Sequence, residues 1–190
     1  MAGKGDCPTM GSFTVDQCST IASPVPGAPF TNVDRAMCTN GTTAKVLDMN
    51  DAAIWGAGIG FDLNNAGTHD GGTGAKMPWD ATAHDVTGFS FHIDSPPVGG
   101  QMRIEFPTSV AGTTNSNAAY WGGATAELSP FTKGGDYSFH FNDVGGPMDQ
   151  PAAMPFDKTK ILSMQFHVVA NTSSIVPFSY CISNVSALRD

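Results

Sequence analysis

The sequence predicts an all-β protein, a two-sheet antiparallel β-sandwich of the jelly-roll type. Glycine (22) and proline (13) are abundant among the 190 residues, and both residues punctuate strands and are poor inside helices. Strand-like segments recur along the chain, and no window shows a sustained helical period. Hydrophobic residues make up 41% of the chain, so one sizeable core is expected.

The chain divides into a short lead-in and one sandwich domain. Residues 1–32 are rich in Pro, Gly and Ser, and we expect an irregular segment held by a disulfide. Residues 33–190 form the predicted β-sandwich, since no linker marks a second domain. The candidate strands are 44–48, 58–63, 87–94, 101–106, 117–122, 135–142, 161–169 and 178–188.

Three of these strands share one pattern, in which large apolar residues alternate with polar ones. The pattern occupies 89–94 (Phe-Ser-Phe-His-Ile-Asp), 137–142 (Tyr-Ser-Phe-His-Phe-Asn) and 164–168 (Met-Gln-Phe-His-Val). Side chains alternate across a strand, so the apolar set of each segment is expected to face the core. The opposite face then carries His92, His140, Gln165 and His167.

If these strands neighbour one another in one sheet, its outer face is a polar field, to which the strand 101–106 adds Arg103 and Glu105. Neighbouring strands lie ~4.8 Å apart, a spacing that suits hydrogen bonds to the hydroxyls of a sugar chain. The alternative is an ordinary solvent-facing surface. A three-histidine metal site is disfavoured, because identical register would spread the rings along a row and no HxH or HExxH spacing occurs.

Aromatic residues in turn-like contexts supply candidates for stacking on sugar rings. All three tryptophans lie next to glycine or proline in the sequence. We expect Trp55 in the core, while Tyr120, Trp121 and Trp79 are the candidates for ligand contact.

Four cysteines, an even number without a CxxC motif, indicate disulfides and not a zinc site. Three pairings are possible, and we favour Cys7–Cys18 with Cys38–Cys181. Disulfides imply an oxidising compartment, so we expect a secreted protein whose export signal has been removed. Four buried free thiols in a cytosolic protein are the alternative.

The charge balance excludes two classes of partner. The net charge is −8, with nine Lys and Arg in total and no basic cluster, so nucleic acid and anionic membrane surfaces are not expected partners. No apolar run approaches the ~20 residues that span a bilayer.

A structural calcium site is a further hypothesis, because oxygen donors separated by glycine can wrap around a Ca²⁺ ion. The candidate ligands are Asp62, Asp70 and Asp190.

Several longer segments together resemble a known family. These segments are 55–63 (Trp-Gly-Ala-Gly-Ile-Gly-Phe-Asp-Leu), 85–94 (Asp-Val-Thr-Gly-Phe-Ser-Phe-His-Ile-Asp), 102–106 and 161–168. Their order is similar to that in bacterial jelly-roll carbohydrate-binding modules of family 11, which have a galactose-binding-like sandwich. The resemblance covers roughly residues 45–188.

The resemblance implies a glucan bound on a concave sheet face by aromatic and polar residues, often beside a structural calcium. It carries this role to His92, Arg103, His140, Gln165 and His167, with Tyr120 or Trp121 stacking on the sugar. The chain departs from the family in having His where Tyr is typical of a glucan cleft. The cysteine-bearing lead-in is not explained by the resemblance.

We therefore expect a non-catalytic, monomeric module that recognises a polysaccharide of the β-glucan type. Membership of a larger multimodular protein is an open alternative. The full set of expected ligand-binding residues is Trp79, His92, Arg103, Glu105, Tyr120, Trp121, His140, Gln165 and His167. There is no GxSxG motif, and Glu105 and Glu127 are the only glutamates. The alternatives are a glycan-active or metal-dependent enzyme that uses the same face, and a self-assembling surface protein.

Overall fold

The computed structural model describes residues 20–23, 36–45, 56–64, 77–95, 102–109, 119–120, 125–126, 133–143, 156–170 and 173–189. Within these ranges the secondary structure is almost entirely β, with two single-turn 3-10 helices, Thr82–His84 and Phe141–Asp143, and no α-helix. The strands are β1 (Thr20–Ser23), β2 (Ala36–Thr42), β3 (Gly56–Asp62), β4 (Gly88–Asp94), β5 (Met102–Glu105), β6 (Thr108–Ser109), β7 (Ala119–Tyr120), β8 (Thr125–Ala126), β9 (Gly135–His140), β10 (Ser163–Val169) and β11 (Pro177–Leu188).

The strands form two main antiparallel sheets. The five-stranded sheet has the order β1-β2-β11-β4-β9, and the four-stranded sheet has the order β3-β10-β5-β8, with β6 and β7 as a separate short pair. One hydrophobic cluster draws buried side chains from both sheets. The rings of Phe91 on β4 and Phe166 on β10 meet edge to face across it, with centroids 5.0 Å apart. The predicted two-sheet β-sandwich is confirmed.

The alternating pattern correctly identified the core. The apolar members of the three patterned strands and of β5 point between the sheets, where burial of their carbon surface supplies the main stabilisation. The buried members of this set are Phe89, Phe91, Ile93, Met102, Ile104, Phe139, Phe141, Met164, Phe166 and Val168. Tyr137 packs against this cluster while remaining half-buried.

Strands that follow one another in the described part of the chain, β4 with β5 and β8 with β9, are divided between the two sheets. β4 pairs with β9 in the five-stranded sheet, with Ile93 opposite Gly135. β5 pairs with β8 in the four-stranded sheet, with Ile104 opposite Ala126.

The sequence placed several elements wrongly. The strand predicted at 44–48 does not begin at residue 44, since the strand in this region, β2, ends at Thr42. Residues 46–48 lie outside the described residues. β2 contains Asn40 and Gly41 and lacks an apolar alternation, so its register is set by pairing with β11. β1 falls in the lead-in that was expected to be irregular, and it pairs with β2. β9 ends at His140, and the chain then turns through the 3-10 helix that begins at Phe141.

One of the two expected disulfides is present. Cys38 on β2 lies directly opposite Cys181 on β11, and the two form a disulfide with their Cα atoms 4.0 Å apart. Cys7 and Cys18 lie outside the described residues, so their pairing stays a prediction.

Candidate functional site

The outer face of the four-stranded sheet brings together polar residues from two adjacent strands, β10 and β5. On β10, Met164, Phe166 and Val168 face the core, so Gln165 and His167 face outward. Gln165 lies opposite Glu105 and His167 opposite Arg103 on β5. Residues directly opposite one another project to the same side of a sheet, so the side chains of Glu105, Gln165 and His167 share this face. Arg103 is placed beside them by its backbone register alone.

His167 and Glu105 form a largely buried polar pair in the middle of this face. Nδ1 of His167 lies 3.4 Å from Oε1 of Glu105. The two side chains are 17% and 11% exposed, respectively, so they are partly removed from water and weakly screened. This arrangement fixes a carboxylate and an imidazole at neighbouring positions, where each can also contact a ligand.

The Gln165 side chain is positioned by a hydrogen bond and by close packing against a glycine. Its Nε2 donates a hydrogen bond to Oγ of Ser163 at 3.1 Å. Its Cγ lies so close above Gly60 on β3 that a Cβ added at Gly60 would be 2.8 Å away. Glycine at position 60 therefore leaves the space that the Gln165 side chain occupies.

A row of glycines lies beside these polar residues and was missed by the sequence analysis. Gly56, Gly58 and Gly60 alternate along β3 with core residues, and Gly58 and Gly60 lie opposite His167 and Gln165. A Cβ added at Gly58 would collide with the carbonyl oxygen of Phe166. The Gly-x-Gly-x-Gly spacing was the available signal, because period-2 glycines leave one face of a strand without side chains.

The expectation of one polar field that contains all three histidines is wrong. His92 on β4 and His140 on β9 lie in the five-stranded sheet, whereas His167 lies in the four-stranded sheet. Each histidine faces away from the core of its own sheet, so His92 and His140 lie on the opposite side of the sandwich from Glu105, Gln165 and His167. The shared sequence pattern specified which face each side chain occupies but not which sheet the strand joins.

His92 lies between two carboxylates on the outer face of the five-stranded sheet. Its Nδ1 lies 2.6 Å from Oδ1 of Asp136, and its Nε2 lies 3.1 Å from Oδ1 of Asp94. The hydrogen bond with Asp136 is the main cause that raises the pKa of His92; partial desolvation opposes this increase, and the bond with Asp94 adds to it. Both ring nitrogens are therefore already engaged within the protein.

The aromatic candidates occupy different environments. Trp79 is half-buried, and its indole stacks on the His84 ring with centroids 5.5 Å apart. It also contacts Phe89 at 6.1 Å, so much of its surface packs within the protein. Tyr120 lies on β7, where its backbone pairs with Thr108, and Trp121 lies outside the described residues.

The described ranges contain no group of three His, Cys, Asp or Glu side chains that could hold a metal ion. Of the candidate calcium ligands, Asp62 lies on β3 opposite Ser163, while Asp70 and Asp190 fall outside the described residues. The calcium site stays a prediction. No helix in the described part of the chain is long and apolar enough to cross a membrane.

Comparison with solved structures identifies a protein with a similar fold. No protein-family model matches the sequence, and no curated protein matches it. The structure is similar to a family 11 carbohydrate-binding module from Clostridium thermocellum, with a TM-score of 0.50 and 13% sequence identity. The match covers 90% of this chain and 84% of the other. The two proteins share a two-sheet β-sandwich fold. That protein was solved in complex with a β-1,3-1,4-mixed-linked tetrasaccharide.

Proposed function

We propose that the protein is a non-catalytic module that binds a β-linked glucan, such as mixed-linkage glucan, xyloglucan or a cellulose chain, on the outer face of the four-stranded sheet. The observation that carries this proposal is the alignment of Glu105, Gln165 and His167 on that face, beside the glycine row of β3, with His167 and Glu105 largely buried against each other. The similar module and its bound tetrasaccharide support the class of ligand.

The chemistry of this face suits an uncharged sugar chain. Each sugar hydroxyl donates and accepts hydrogen bonds, and the Glu105 carboxylate, the Gln165 amide and the His167 imidazole together offer both functions. The net charge of −8 would repel a polyanionic glycan but not a neutral glucan.

The fixed positions of these side chains favour binding. Immobilising a flexible side chain on binding costs about 0.5–1.5 kcal/mol. Gln165 is already held by Ser163, and His167 by Glu105, so part of this cost is met in the free protein. The Cys38–Cys181 disulfide supports a further part of the proposal, that the module acts outside the cell.

The test is binding to a panel of soluble polysaccharides, followed by affinity electrophoresis and calorimetry with the variants H167A and Q165A. We expect retardation on at least one β-glucan. A net hydrogen bond contributes about 0.5–1.5 kcal/mol, so each variant should bind roughly 2- to 10-fold more weakly.

The matched control is H140A, which removes an exposed imidazole on the opposite side of the sandwich. It should bind like the wild type. Absence of retardation on every glycan, or an equal loss for H140A and H167A, would contradict the proposal. Release of reducing sugar from any member of the panel would indicate a hydrolase instead.

A further inference from the structure

Two asparagines of the five-stranded sheet begin an Asn-x-Ser/Thr triplet, the acceptor sequence of N-linked glycosylation. The triplets are 40–42 (Asn-Gly-Thr) on β2 and 184–186 (Asn-Val-Ser) on β11. Neither has proline at its middle position, where proline would abolish the acceptor. A third triplet, 171–173 (Asn-Thr-Ser), begins outside the described residues. The first two can therefore be judged by where the fold places their side chains.

Asn184 lies at a β-bulge of β11. The pairing of β11 with β4 shifts between Ser183 and Ser186. Two residues, Asn184 and Val185, therefore stand where a regular strand has one. Val185 packs against the core, whereas Asn184 is exposed. The φ of Asn184 is +52°, a left-handed conformation that asparagine tolerates better than most residues. The side chain of Asn184 is thus available at the surface.

Asn40 faces the same side of the sheet from the interior of β2. Its neighbour Thr39 is 2% exposed and faces the core. Side chains alternate along a strand, so Asn40 and Thr42 both face outward. Asn40 is partly exposed and lies opposite the exposed Ser179 on β11. The asparagine and the hydroxyl residue of this triplet therefore share the outer face.

Both triplets lie in the five-stranded sheet, across the sandwich from the proposed glucan-binding face. The Cys38–Cys181 disulfide of the same sheet is of the kind that forms in an oxidising compartment, and N-linked glycans occupy surface positions of secreted proteins. We propose that the outer face of the five-stranded sheet carries N-linked glycans, attached at Asn40 and Asn184. This arrangement leaves the opposite face of the sandwich open to a ligand.

The modification is a glycosyl transfer from a lipid-pyrophosphate-linked oligosaccharide, the donor that an oligosaccharyltransferase of the secretory pathway uses. The amide nitrogen of asparagine forms a bond to the anomeric carbon of the first sugar. The bond between that carbon and the pyrophosphate oxygen breaks, and its electron pair leaves with the lipid pyrophosphate. The nitrogen gives up one proton to a base of the transferase. This protein supplies the acceptor amide and the hydroxyl residue two positions further on.

The test is secretion of the full chain from a eukaryotic cell, followed by mass spectrometry of its peptides. A peptide N-glycosidase acting in heavy-oxygen water converts each glycosylated asparagine to a labelled aspartate, so each triplet is read separately, 171–173 included. We expect the label at positions 40 and 184. The double variant T42A/S186A keeps both asparagines and removes the two hydroxyls, and it should lose the glycans from both positions.

The matched control is T42S/S186T, which changes the same two positions, retains a hydroxyl at each and should stay glycosylated. Absence of the label from both Asn40 and Asn184 in the secreted wild type would overturn the proposal, and so would equal labelling of wild type and T42A/S186A. A label on one asparagine alone would overturn the proposal for the other. If T42A/S186A does not fold, the wild-type map and S186A, a change at an exposed residue, decide the matter.

Discussion

At the scale of single residues, one tyrosine connects the two sheets by a hydrogen bond through the core. Tyr180 on β11 is 2% exposed, and its hydroxyl donates to the carbonyl oxygen of Phe166 on β10 at 2.9 Å. Burial raises the pKa of Tyr180, so the phenol stays protonated and remains a donor. A polar bond in the apolar core also favours one alignment of the sheets, since sliding would leave the hydroxyl without a partner.

Replacing Tyr180 with Phe tests the value of this bond. The change deletes the hydroxyl and keeps the ring, so Y180F should lower the free energy of unfolding by about 0.5–1.5 kcal/mol, the net value of a hydrogen bond. Urea denaturation measures this loss. The control is Y137F, because the Tyr137 hydroxyl donates to the Lys133 carbonyl in an exposed position, where water can replace it. Equal losses for the two variants would show that the buried bond has no special role.

At the scale of strands, the sequence predicted which face of a strand is buried better than it predicted which strands pair with one another. Residues 89–94 and 164–168 share the Phe-His arrangement, and in both strands the apolar set faces the core as predicted. Yet β4 lies in the five-stranded sheet and β10 in the four-stranded sheet. Alternation depends on the local backbone geometry, whereas pairing depends on contacts between residues far apart in sequence, which one sequence does not reveal. The grouping of the candidate residues was therefore predicted in part: Glu105, Gln165 and His167 share a face, with Arg103 in register beside them on β5, and His92 and His140 do not join them.

The pairing of β3 with β10 depends on glycine. At Gly58 the backbone of β3 lies too close to the Phe166 carbonyl for any side chain, so G58A must push the two strands apart. We expect a loss of stability near the upper end of the about 1–3 kcal/mol typical of overpacking, measured by thermal or urea unfolding. Alanine at Gly135 meets no atom within 4 Å and should cost less, even though the φ of +156° at this position favours glycine. A neutral G58A would contradict the close approach of β3.

At the scale of the whole molecule, the Cys38–Cys181 disulfide encloses most of the sandwich. The two cysteines are separated by 143 positions, and they join β2 near the beginning of the fold to its last strand. A cross-link between distant residues stabilises a fold chiefly by reducing the conformational freedom of the unfolded chain. Because most of the strands lie within the enclosed loop, this constraint acts on both sheets together.

The double variant C38A/C181A separates this stabilising role from ligand binding. Removing a native disulfide typically costs about 2–5 kcal/mol, and the long loop places the expected loss of unfolding free energy in the upper part of that range. Urea denaturation without reductant measures it and leaves any other disulfide intact. The cysteines lie on the five-stranded sheet, away from Glu105, Gln165 and His167, so the variant should bind glucan like the wild type while it remains folded. Weaker binding by a folded C38A/C181A would place the ligand on the five-stranded sheet instead, because a constraint on the unfolded chain leaves the affinity of the folded state unchanged.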